Sequence, residues 1–120
     1  MKKYVDVFVL PLPRKNVEAY RKITETFGKV CREHGALDYI ACIGDDVQPG
    51  KVTSFPQAVK LEPDETVVVG WITYKSRKHR DQVDAAVMKD PRMASMMDPK
   101  TMPFDGKRMF VGGFEVIVEH

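Results

Sequence analysis

The stretch Thr66–Tyr74 constrains this chain more than any other, because every residue in it except Gly70 is β-branched or aromatic. Such residues favour a pleated strand, whose side chains alternate between two faces. Val68 and Ile72 therefore face one way, and Val67, Val69 and Trp71 the other. Tyr4–Leu10 repeats the pattern, with Val5, Val7 and Val9 on one face and Tyr4, Phe8 and Leu10 on the opposite one, Asp6 among them. A sheet built on these strands needs cover on both sides. At ~25 cal/mol per Å² of apolar area, leaving one side wet forfeits several kcal/mol.

Elsewhere the periodicity changes. Pro11 and Pro13 cannot donate to a ladder and are expected to end the first strand at Leu10. From Asn16, residues Val17, Tyr20, Ile23, Phe27, Val30, Cys31 and His34 recur at three- and four-residue steps, the stripe of an amphipathic helix closed by Gly35. Leu37–Ile43 returns to strand character, and the irregular stretch Gly44–Asp64 follows. Ser76 is placed to cap a second helix from Arg77 to about Lys89, with Val83, Ala86 and Val87 as its buried stripe. Asp90-Pro91 breaks it. A further helical turn over Met93–Met97, a tight turn at Asp105-Gly106 and a last strand over Phe110–Val118 complete the chain.

The order β-α-β-β-α-β predicts one α+β domain over residues 1–120 with the ferredoxin-like arrangement: an antiparallel four-stranded sheet carrying both helices on one face. The helix-free face is left apolar, which predicts a homodimer with the two sheets packed against each other.

Composition narrows the function classes. Of 120 residues, 43% are hydrophobic and 30% charged, which excludes a disordered chain or a collagen-like repeat. No apolar run approaches the ~20 residues of a spanning helix, so no membrane partner is expected. Met1-Lys2-Lys3 mimics the basic end of a signal peptide, but Asp6, Pro11 and Pro13 interrupt any apolar stretch behind it. Two cysteines, Cys31 and Cys42, are too few for a disulfide scaffold or a zinc site and suit a reducing cytoplasm. No two histidines have ligand spacing with a carboxylate, so no metal is expected, and no motif asks for a cofactor. Gly50-Lys51 lies in a Gly/Pro-rich loop, yet five residues separate Gly44 from Gly50 and Val52 follows the lysine, so the phosphate-loop pattern fails.

Several blocks are dense in specific choices: Met102-Pro103-Phe104-Asp105-Gly106-Lys107-Arg108-Met109 with Gly112-Gly113-Phe114, then Asp45-Asp46-Val47, Gly50-Lys51 and Thr53-Ser54-Phe55-Pro56, and Met88 with Asp90-Pro91-Arg92. Together they resemble the bacterial YbaA-like family, a domain of unknown function, over nearly the whole chain. The resemblance implies the dimeric α/β-barrel group, in which two ferredoxin-like protomers bring their sheets together. Its wider relatives include cofactor-free monooxygenases, muconolactone isomerase-like enzymes and haem enzymes. It carries no catalytic residue over to this chain.

The residues themselves offer a few chemical candidates. Asp6 and Glu115 lie within neighbouring strands, and are expected to converge on the sheet face away from the helices. Two carboxylates in a low-dielectric site repel, which raises at least one pKa and makes an acid/base pair. An ion pair with Arg108 or Lys107, or a carboxylate at the solvated rim, is the simpler alternative. Trp71 and Tyr39 are candidate walls for a flat organic ligand, and Arg108 a candidate ligand contact. Met88, Met93, Met96, Met97, Met102 and Met109 crowd one stretch; such soft side chains suit an adaptable pocket, or more simply fill gaps under the final connection. The expectation is a cytoplasmic homodimer that binds a small organic molecule, with cofactor-independent oxygenation or isomerisation as its enzymatic form. The rivals are a non-catalytic interaction module and an RNA binder. Gly70-Trp71-Ile72-Thr73-Tyr74 resembles an RNA-recognition strand, but Val67 and Val69 stand where that signature needs a cation and an aromatic residue, and a net charge of +2 attracts phosphate weakly.

Overall fold

The structure is a computed structural model that describes residues 2–96 and 98–120. Its elements in chain order are β1 (Tyr4–Pro13), α1 (Val17–Glu33), β2 (Asp38–Ile43), α2 (Phe55–Ala58), β3 (Glu65–Tyr74), α3 (Arg77–Met88), α4 (Arg92–Met96) and β4 (Phe110–Glu115), with a 3-10 turn at Arg14–Asn16. The strands form one antiparallel sheet in the order β2-β3-β1-β4, the ferredoxin-like topology anticipated from the sequence. The helical turn expected over Met93–Met97 is present as α4, and Met97 lies outside the described residues.

Helix boundaries follow local chemistry. The Ser76 hydroxyl accepts from the His79 amide at 3.1 Å and caps α3. Gly35 adopts φ +117° after α1, a conformation that costs a side-chain-bearing residue more. In the long loop, expected to be irregular throughout, Ser54 caps the single turn of α2. The first strand does not stop at Leu10. It runs on to Pro13, paired with β3 throughout, while β4 ends opposite Val9. Pro11 and Pro13 thus lie where β1 has no neighbour on its β4 side, and Arg14 resumes donation to Asp64 O at 2.9 Å. The last strand ends at Glu115, short of Val118, because its partner begins at Tyr4.

The register sorts the side chains. Phe8, Leu10, Val68, Ile72 and Tyr74 share a core with Tyr20, Val30 and Cys31 of α1 and with Val83 and Val87 of α3, so these strand residues mark the helix side. The opposite face is not wholly bare. Val59 and Leu61 of the long loop fold over Val9, Val67 and Val69 as a second, smaller core. Beyond that cover, the rows Ile40–Trp71–Val7–Gly112 and Asp38–Thr73–Val5–Phe114 cross the sheet on the same face. Phe114 is 58% exposed, Phe110 46% and Ile40 41%.

Candidate functional site

A cavity of about 340 Å³ lies between the helix side of the sheet and the helical layer. Phe8, Leu10 and Ile72 form its floor, Tyr20, Ile23 and Phe27 of α1 one wall, and Met88, Met93 and Met96 another. The segment after α4 roofs it with Met102, Pro103, Phe104 and Met109. Two contacts fix that roof to α1: Asn16 Nδ2 donates to Pro103 O at 2.8 Å, and Tyr20 meets Phe104 edge-on, with centroids 5.8 Å apart. The methionines therefore line a cavity.

Its charged lining consists of Asp6 and Asp84. Asp6 is 7% exposed, and its Oδ1 accepts from Arg80 Nη1 at 2.7 Å. Arg80 also donates from Nε to Asp81 at 2.8 Å, and its guanidinium lies 4.9 Å from the centre of the Tyr4 ring. Asp84 stands one turn further along α3 at the rim. Burial raises the Asp6 pKa, Arg80 opposes the rise, and the Asp84 charge adds to it. Burial likewise raises Asp84, again against Arg80 and with Asp81 adding. Beneath them the Tyr74 hydroxyl is buried, with the Asp6 carboxylate as the acceptor beside it. Burial, with the Asp84 and Asp6 charges, pushes the Cys31 thiol up to about 12, so Cys31 is no nucleophile.

The sequence-derived candidates separate. Asp6 is in the cavity, but on the helix side of the sheet and not on the helix-free face. Glu115 is exposed on edge strand β4 and pairs with Lys2 at 3.2 Å; the carboxylate that shares the surroundings of Asp6 is Asp84, which the sequence reading missed. Tyr39 is a cavity wall. Its hydroxyl is hydrogen-bonded to Thr24, and its ring lies so close to α1 that a Cβ at Gly28 would come within 2.6 Å of Tyr39 Cδ1. Trp71 points to the other face, between Val7 and Ile40. Arg108 clamps Glu65 through two bonds of 2.7 Å, Asp105 at 3.0 Å and Lys60 O at 3.0 Å, tying the roof segment to β3 and the long loop. His34 Nε2 meets Asp90 Oδ2 at 2.9 Å, and the His79 Nδ1 accepts from the Lys75 amide at 3.0 Å. Among the described residues no group of three or more His, Cys, Asp or Glu is placed to hold a metal, and no helix is long and apolar enough to cross a membrane.

The profile of a family described as protein of unknown function (DUF1428) matches residues 3–106. An uncharacterized protein YbaA of Escherichia coli strain K12 is 45% identical over 117 residues, 98% of each chain. Among solved structures, a NIPSNAP family protein with unknown function from Agrobacterium tumefaciens aligns with TM-score 0.57 and 16% identity, over 96% of this chain and 88% of that one. A dimeric ferredoxin-like protein from an uncultured marine organism aligns with TM-score 0.58 and 9% identity, over 100% of this chain and 92% of that one. These two likenesses establish the fold, and no activity.

Proposed function

The chain belongs to the DUF1428 family of proteins of unknown function, and on that footing we propose that it is a cytoplasmic homodimer that binds a small apolar organic molecule in the cavity between sheet and helices. The observation that carries the reading is the cavity itself: about 340 Å³, walled by aromatic rings and methionines, with a buried carboxylate at one end. That is roughly twice the ~150 Å³ in which a protein interior accepts one benzene, and an apolar pocket with a few converging polar groups is the usual form of a ligand site. Asp6 is the residue we assign to anchor the ligand and to hold or move a proton. Its raised pKa suits acid/base work.

Self-association is assigned to the helix-free face, where Val5, Val7, Trp71, Ile40, Phe110 and Phe114 lie together. A dimeric protein of the same fold supports it. The strand positions of that face include Asp38 and no lysine or arginine, so a nucleic acid stacked on its aromatics would find no phosphate contacts there. The two cysteines, neither in a disulfide, suit the cytoplasm.

Amide chemical shifts of the isotope-labelled protein, followed during addition of small aromatic and aliphatic compounds, test the binding reading. Shifts centred on Ile23, Tyr39 and Met96 are expected. Shifts confined to the outer face, or none across the panel, would overturn it.

A further inference from the structure

We infer that the molecule this cavity takes carries a cationic, hydrogen-bond-donating head, a primary ammonium on an apolar body, held between Asp6 and Asp84. The inference rests on the proposed binding role and adds the chemistry of the ligand's polar end. Three observations bear on it. The charges in the cavity lining are both negative. The one guanidinium beside them, Arg80, is already shared by Asp6 and Asp81 and also faces Asp84, so the cluster is one cation against three carboxylates. Finally, Asp84 at the exposed rim lines the same cavity as Asp6, whose Oδ1 is taken by Arg80 and whose other close donor is the Tyr74 hydroxyl.

The hydroxyls lining the α1 side are engaged with one another, Tyr20 with Thr24. The Thr24 and Tyr39 hydroxyls on the α1 side bond each other. An anionic ligand would add a negative charge beside Asp6 and Asp84, and Asp6 is buried where solvent screens poorly. A carboxylate would also meet no unused cation. An ammonium supplies three donors and balances the excess negative charge, while the methionines accommodate an apolar body of variable shape.

Calorimetric titration with phenylpropylamine, phenylpropanol and phenylpropanoate at neutral pH separates head from body. The amine should bind about tenfold more tightly than the alcohol, the margin of a charge-assisted over a neutral hydrogen bond, and the carboxylate should not bind measurably. Asp84→Asn, at the exposed rim where folding tolerates it, should weaken the amine several-fold more than the alcohol and so narrow the gap between them. Met109→Trp, which fills the cavity, should abolish both. Alcohol or carboxylate binding as well as the amine, with Met109→Trp still blocking, sinks the head-group inference and leaves the cavity reading standing. No binding by any probe, or binding indifferent to Met109→Trp, removes the cavity reading and the inference with it.

Discussion

Replacing Phe114 by lysine should take the proposed homodimer apart, and the size of the effect can be worked from the sheet. Phe114 is 58% exposed on the helix-free face, opposite Val5 in the β1–β4 register, and its ring lies over Gly112, whose Cβ would stand 3.4 Å from Phe114 Cε1. A phenylalanine side chain offers ~200 Å² to burial, so a partner sheet would cover about 115 Å² of it. A two-fold axis doubles that to about 230 Å². At ~25 cal/mol per Å² the gross gain is about 6 kcal/mol. Ordering costs and imperfect coverage remove part of it, and about half, ~3 kcal/mol, is a working figure. The dimer Kd should therefore rise about 150-fold, before any repulsion between the two new lysines. Sedimentation velocity over a concentration series reads the Kd directly, and a thermal melt establishes that the variant is folded. A wild-type protein that sediments as a monomer at micromolar concentration, or a folded Phe114→Lys variant with an unchanged Kd, refutes the reasoning.

Other consequences are as open to measurement. Arg108→Met strands the buried Glu65 carboxylate and should cost about 3 kcal/mol in urea unfolding at neutral pH. Arg108 holds the Glu65 pKa down, so the pair's contribution is present above the unfolded carboxyl value of ~4.3 and is lost as pH falls through the lower folded value; the gap between wild type and variant should close on acidification. Gly28→Ala, which gains up to ~1 kcal/mol in an isolated helix, should instead destabilise by about 1–2 kcal/mol because the new methyl meets the Tyr39 ring; a rise in Tm would show that the ring yields. Thiol titration of the native protein with a chromogenic disulfide should find at most one reactive group per chain, Cys42, since Cys31 is buried and its pKa is near 12.

The strands, their two-faced character and the element order were legible because alternation survives any tertiary arrangement: Phe8 and Leu10 had to part from Val7 and Val9 wherever the helices lay. Alternation names two sets of residues without saying which set receives the helices, and that is where the placement of Asp6 went astray. Asp84 escaped for another reason. Arg80 and Asp84 are four residues apart on a helix, a spacing that ordinarily reads as a solvated surface pair. Only the fold puts that pair against a buried carboxylate on β1. Pro11 and Pro13 misled for want of knowing that β4 would end opposite Val9.

The same geometry accounts for the cavity. Two helices must cover four strands, and α3 stops at Met88, beyond which the sheet passes to the single turn of α4 and then to irregular chain as far as β4. Irregular chain cannot interdigitate with a pleated floor as a helix does, so its contacts are made by long, adaptable side chains, and Met93, Met96, Met102 and Met109 supply them. Such a roof would leave a packing defect in a merely structural domain, at a cost that grows with the empty volume. It is instead anchored at both ends by ion pairs. Arg92 bonds Glu33 and Asp90 at one end, and Arg108 bonds Glu65 and Asp105 at the other. In the function proposed above, the space under this doubly anchored roof, with Asp6 in its lining, is held for an occupant.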